Sequence, residues 1–315
     1  MYRHDYRLSN IRALAITLVV IGHSIILYSH TWNLLPTTVQ CLPLDRVKEV
    51  IYLCHMQLFF LVSGYLFLNT MQKSSVTDIF VNKVRRLLIP YVIIGLVWMI
   101  PLKLIVGVPF YEGVSLWQIV LRFMLGIENG HLWFVYALMW MFVLTLLAKV
   151  LIGFNHAIGG GILCVLFVLS EMNGRINLGH YLCLSHVQHY FFWFFLGLQL
   201  KLSNRYLRYI VPVLIILTLV MGHYSMFWQL ILSGAIWFLM PDKKSDAALF
   251  IDRHSYGLYL LHSPLVYVTF TYMADCNPWI VAAVNVFIMG GVALGLTHIL
   301  MKSPISFVVG KTNKK

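Results

Sequence analysis

Long apolar runs separated by short polar intervals recur along the 315 residues. A helix rises about 1.5 Å per residue, so a hydrocarbon layer of about 30 Å takes about 20 mostly apolar residues to cross. Ten runs meet or approach that length: 11–30, 50–70, 87–106, 131–152, 158–171, 187–201, 208–222, 224–240, 255–273 and 279–301. The pattern predicts an all-α, polytopic transmembrane helix bundle of about ten spans. It forms one domain over residues 1–315 with short tails. No low-complexity stretch or internal repeat interrupts it. The longest outer intervals, 31–49, 107–130 and 172–186, are too short to fold alone.

Composition agrees, with 60% hydrophobic and 11% charged residues, against about 25% charged in a soluble domain. In a soluble protein the net charge of +12 would suggest a nucleic-acid partner. Here the positive-inside rule accounts for it, and nucleic acid is not expected. With the N-terminus inside, 17 Lys and Arg fall in inner intervals, among them Arg3, Arg7, Lys83, Arg85, Arg86 and Arg253. Only 5 fall outside (Arg46, Lys48, Lys103, Arg122 and Arg175), with Arg12 at the inner boundary. Both termini are therefore expected inside. Lys311, Lys314 and Lys315 read as a basic tail against anionic lipid. The opening MYRHDYR leads into the first run without a small-residue cleavage site, so that run reads as a retained helix. Five scattered cysteines do not make a disulfide framework.

Chemistry must then lie within the bundle or at its rims. Arg12 and His23 are eleven residues apart on the first run, about 16 Å of rise and nearly the same helix face. An ionisable side chain at His23's depth is costly, which marks a functional candidate. A neutral imidazole suits proton abstraction from a hydroxyl near pH 7. The competing reading is a histidine tying helices together while Arg12 binds lipid phosphate. Tyr259 and His262 share a face on the ninth run. His131 and Trp133 open the fourth at the outer interface. All eleven acids read as loop or helix-end residues, unlike those of many coupled transporters. His180, Cys183, His186 and His189 recur every three residues, but without a carboxylate they read as interface residues, and no metal is expected.

Several segments in order resemble the membrane-bound acyltransferase-3 family. They are Arg12 to His23, the run from His55 to Tyr65 ending Phe-Phe-Leu-Val-Ser-Gly-Tyr, Lys83-Val-Arg-Arg-Leu-Leu-Ile-Pro90, His131-Leu-Trp-Phe134, and Ser255 to His262. The likeness spans most of the chain. One departure is Ser9, where many relatives carry an aspartate, so a neighbouring carboxylate to hold Arg12 is not evident.

The resemblance implies transfer of an acyl group, usually acetyl from cytoplasmic acetyl-CoA, to a hydroxyl of an envelope glycan or lipid-linked sugar in a bacterial inner membrane. Acetyl-CoA enters as a donor substrate, with no tightly bound cofactor. His23 would be general base or transient acyl carrier, and Arg12, about three turns away, a second catalytic residue and a further contact for the coenzyme A phosphates. Lys83, Arg85 and Arg86 would take the coenzyme A phosphates, although positive-inside anchoring explains the same cluster. Ser63, His55, His131, Tyr259 and His262 would support the substrates. Gly64 beside Ser63 also fits close helix packing. A flippase for lipid-linked sugar is the alternative.

Overall fold

The computed structural model describes residues 5–31, 35, 37, 39–153, 155–172 and 178–311. Arg3, Arg175, Lys314 and Lys315 lie outside them. Among the described residues every regular element is helical. In chain order they are α1 (Tyr6–Ile25), α2 (Leu42–Tyr52), α3 (His55–Lys73), α4 (Val76–Val106), α5 (Leu116–Met124) and α6 (Trp133–Ile152), then α7 (His156–Glu171), α8 (Leu184–Lys201), α9 (Leu207–Val220), α10 (Tyr224–Leu239), α11 (Asp246–Tyr272) and α12 (Pro278–Lys302). Five helical bodies are long and apolar enough to cross a membrane, namely Tyr6–Tyr28, Leu42–Lys73, Val76–Val106, Gly130–Ile152 and Pro278–Lys302. The shorter α7, α9 and α10 are apolar too. The five cysteines are free thiols.

Two helices begin well before the runs that predicted them. α4 starts at Val76, where the Ser75 hydroxyl accepts the Asp78 N–H. α11 starts at Asp246, where Ser245 accepts the Ala248 N–H. Capped first turns rich in polar residues are invisible to a hydropathy pattern but helical all the same. One consequence corrects the expectation for the acids: Asp252 lies inside α11, not in a loop. The outer intervals also hold helix. α2 carries a proline in its first turn, and α5 opens on a Ser115–Gln118 capping box.

Packing depends on small residues where backbones touch. A Cβ on Gly64 of α3 would sit 1.8 Å from the Phe194 carbonyl oxygen of α8. One on Gly197 of α8 would sit 2.0 Å from the Leu61 oxygen of α3. The two glycines thus bring α3 and α8 together reciprocally, as small residues do in membrane helix pairs. α1 lies along α11, held near both its ends. The two run in the same direction, since Arg12 meets Asp252 and, eleven residues on, His23 meets His262.

Candidate active site

Near one end of α1, Arg12 donates from Nε and Nη2 to the two carboxylate oxygens of Asp252 at 2.6 and 2.7 Å. This bidentate pair supplies the carboxylate that Ser9 does not, from 240 residues away. Eleven residues on, His23 meets His262 of α11. Their Nδ1 and Nε2 atoms are 2.8 Å apart and the rings lie within 9° of parallel.

Partner chemistry assigns the protons. His262 Nδ1 lies 2.9 Å from the carbonyl oxygens of Leu258 and Tyr259. Carbonyl oxygens only accept, so Nδ1 carries the hydrogen and Nε2 of the neutral ring carries a lone pair. That lone pair accepts from His23 Nδ1–H. His23 is left with an unprotonated Nε2, the atom a base or nucleophile needs. The arrangement repeats the logic of a catalytic histidine whose second nitrogen is fixed by an orienting partner.

His131 completes the cluster, its ring 6.5 Å from that of His23 and 5.6 Å from that of His262. Pro264 explains its orientation. A proline has no N–H, so the carbonyl four residues earlier loses its helical donor. That carbonyl belongs to Leu260, and His131 Nε2 donates to it at 3.1 Å. The Tyr259 hydroxyl donates in turn to the His131 carbonyl. A kink residue in α11 thereby fixes the start of α6.

Two chambers flank the cluster. The larger, about 430 Å³, is lined by Ser63, Lys83, Arg86, Arg253, Tyr256 and Lys311 among others. Lys83 places its ammonium 3.7 Å from the centre of the Phe142 ring. Arg86 and Arg253 have no ion-pair partner among the described residues. The second chamber, about 260 Å³, is lined by His23, His131, Trp133, Ser263 and Tyr267 among others. Along α11 the lining passes from Gly257 to Ser263, about 9 Å of helix. The buried Tyr259 falls in that gap, its ring 5.5 Å from that of Phe134 on α6.

The predicted site residues fall in distinct places. His23, His131, His262 and Tyr259 converge. Ser63, Lys83 and Arg86 line the basic chamber, but Arg85 does not and is exposed. Buried His55 stands at the start of α3, Nδ1 bonded to the Ile51 oxygen at 2.8 Å and ring against Tyr52. Cys183 accepts from Asn129 Nδ2 at 2.9 Å, while His186 stacks on Trp133 at 4.3 Å. The two therefore serve different neighbours. Among the described residues, the one converging triad of such donors is His30, Asp45 and Glu49. In it His30 bonds Asp45 and Arg46 holds Glu49.

Sequence reasoning missed Asp252, Arg253 and Pro264. The first two sit at spacings four and three residues before Tyr256, a helical continuation of the Ser255–His262 segment that could have been followed backwards. Pro264, two residues past His262, was visible as a proline within an apolar run.

Neither a curated protein nor a solved structure matches the chain. A family model described as an acyltransferase domain matches residues 5–301. A multi-pass helical chain with that match over nearly its whole length belongs to the acyltransferase-3 family and carries an acyltransferase domain.

Proposed function

We propose that the protein is an O-acyltransferase of a bacterial inner membrane, moving an acetyl group from cytoplasmic acetyl-CoA to a hydroxyl of an envelope carbohydrate. The observation that carries this is the 2.8 Å contact of His23 Nδ1 with His262 Nε2, which leaves His23 Nε2 free on the wall of a chamber at the opposite end of α11 from a cationic one. In this reading the basic end faces the cytoplasm and both termini are inside, in line with the bias of Lys and Arg.

Arg86, Arg253 and Lys83 receive the phosphates of coenzyme A, the guanidiniums bidentately. The thioester enters from that chamber past Tyr259 and Phe134. An acceptor hydroxyl enters from the other. His23 Nε2 takes the hydroxyl proton as the oxygen bonds to the thioester carbonyl carbon. The C–S bond then breaks, and the thiolate leaves with the proton that His23 held. His262 keeps His23 in the productive tautomer. Its ring also shares the charge that appears on His23, by accepting a hydrogen bond from Nδ1. Arg12, two of its nitrogens engaged by Asp252, positions α1.

Surface glycans analysed by mass spectrometry test the reading in wild type, a deletion strain, and the deletion carrying His23→Ala at matched protein level. Loss of an acetyl-sized mass in both altered strains is expected. Disappearance of the glycan itself from the deletion would favour a transporter. Acetyl-histidine trapped at residue 23 without acceptor would make that residue the acyl carrier instead of the base.

A further inference from the structure

Next to the His23 chamber lies another, of about 250 Å³, and the two share Gly130, Trp133 and Tyr267 in their walls. Together they reach the range of roughly 300–1,000 Å³ typical of small-molecule sites. This chamber of about 250 Å³ is lined by Lys103, a residue only 8% exposed. Lys103 lies near the far end of α4, 20 residues beyond Lys83, so about 30 Å from the basic chamber along the helix.

Its ammonium is not paired. It sits 4.8 Å from the centre of the Tyr267 ring and 5.9 Å from that of Tyr111. It also lies close to Gly130, where a Cβ would come within 3.2 Å of Nζ. No hydrogen bond or salt bridge to it exists among the described residues. The one carboxylate in the wall, Glu128, is already taken through Oε1 by Arg122 at 2.9 Å. Two cations against one carboxylate leave one positive charge. A buried charge is tolerated when an opposite charge and hydrogen bonds reach it, and π faces alone compensate it weakly.

The same wall offers hydrogen-bonding groups that no described residue satisfies. Glu128 Oε2 is buried and without a partner. So is His186 Nδ1, on the ring stacked against Trp133. A cation, a free carboxylate oxygen, a free imidazole nitrogen and an exposed edge of aromatic surface are groups suited to a polyhydroxylated molecule bearing a negative charge.

We infer that the acceptor is an anionic sugar, whose carboxylate or phosphate rests on Lys103 while its hydroxyls meet Glu128 and His186 and one of them faces His23. The inference rests on the acyl-transfer reading only for the last clause. The charge preference belongs to the chamber itself. Lys103 is a substrate-binding residue, in a chamber that shares Gly130, Trp133 and Tyr267 with the one His23 lines.

The test is equilibrium binding to the purified full-length protein in nanodiscs, without acetyl-CoA. The probes are glucuronate, glucose 1-phosphate and glucose, against wild type, Lys103→Gln and Lys103→Arg. Wild type is expected to bind at least one anionic probe roughly tenfold or more tightly than glucose, as loss of a desolvated charge contact implies. Lys103→Gln should remove that preference and Lys103→Arg should keep most of it. Preference for glucuronate points to a carboxylate-bearing glycan, and preference for glucose 1-phosphate to a phosphate-linked sugar. Equal binding of all three probes, binding of none, or an unchanged preference in Lys103→Gln overturns the inference. A shared thermal midpoint and shared coenzyme A affinity across the variants control for folding. Because no acyl transfer is measured, a failed transfer assay with intact charge preference would reject the proposed reaction and leave the anion site standing.

Discussion

At the scale of single residues, the site is a chain of proton assignments ending at His23. Two carbonyls fix His262, His262 fixes His23, and Pro264 frees the carbonyl that fixes His131. Removing His262 leaves His23 free to adopt the other tautomer. His262→Ala should therefore lower kcat by roughly 10²- to 10⁴-fold with a smaller change in KM, the range for loss of an oriented acid–base partner. His262→Gln, whose amide oxygen is able to accept the same hydrogen bond, should recover part of it. A radiolabelled acetyl-transfer assay measures both. Pro264→Ala separates stability from activity in a different way. It restores the N–H that Leu260 lacks, so the thermal midpoint should hold or rise while transfer falls about tenfold, because His131 then competes for its acceptor. Arg12, His23 and His262 were readable in the chain because an ionisable residue in an apolar run stands out unaided. Asp252 was not, because its meaning is its partner, and a pairing across 240 residues leaves no local mark.

At the scale of elements, hydropathy located the apolar helices and missed their capped, polar ends, and it missed α2 and α5 in the outer intervals. The apolar runs coincide with the middles of the helices because burial in lipid or in the bundle demands such middles. The first turns of α4 and α11 are set by Ser75 and Ser245, which ask nothing of hydropathy. Close packing is more demanding. A methyl on Gly64 would overlap the α8 backbone, and backbone moves less readily than a side chain. Gly64→Ala should cost at least about 1–3 kcal/mol, the usual penalty of overpacking. A fall in the thermal midpoint of the detergent-solubilised protein, followed by size-exclusion chromatography, checks it. The sequence offered Ser63-Gly64 as a packing motif or a substrate contact, and the structure divides the roles. Gly64 packs, and Ser63 opens onto the basic chamber.

At the scale of the whole molecule, α1 and α11 join two chemically unlike ends. One rung is an ion pair beside a cationic chamber, and the other is a histidine pair beside a chamber lined by aromatic and polar groups. The family and the all-helical, apolar character were legible from the order of the motifs and the apolar runs. The separation into two chambers was not, because it depends on where side chains from α4, α6, α11 and the C-terminal segment meet. That meeting brings Arg253 beside Arg86. If both receive phosphate, Arg253→Gln and Arg86→Gln should each weaken coenzyme A binding about tenfold or more, with dephosphorylated analogues affected less. Arg85→Gln, exposed and outside the chamber, should weaken it far less. Isothermal titration distinguishes these outcomes.

In the proposed reaction His23 does the proton chemistry from the wall of the chamber of about 260 Å³. The most direct test of that role is acetyl transfer from labelled acetyl-CoA in membranes holding equal amounts of wild type or His23→Ala, with coenzyme A affinity measured alongside. The account predicts that transfer falls by roughly 10²- to 10⁴-fold while coenzyme A binds as before. Transfer at the wild-type rate in His23→Ala would contradict it.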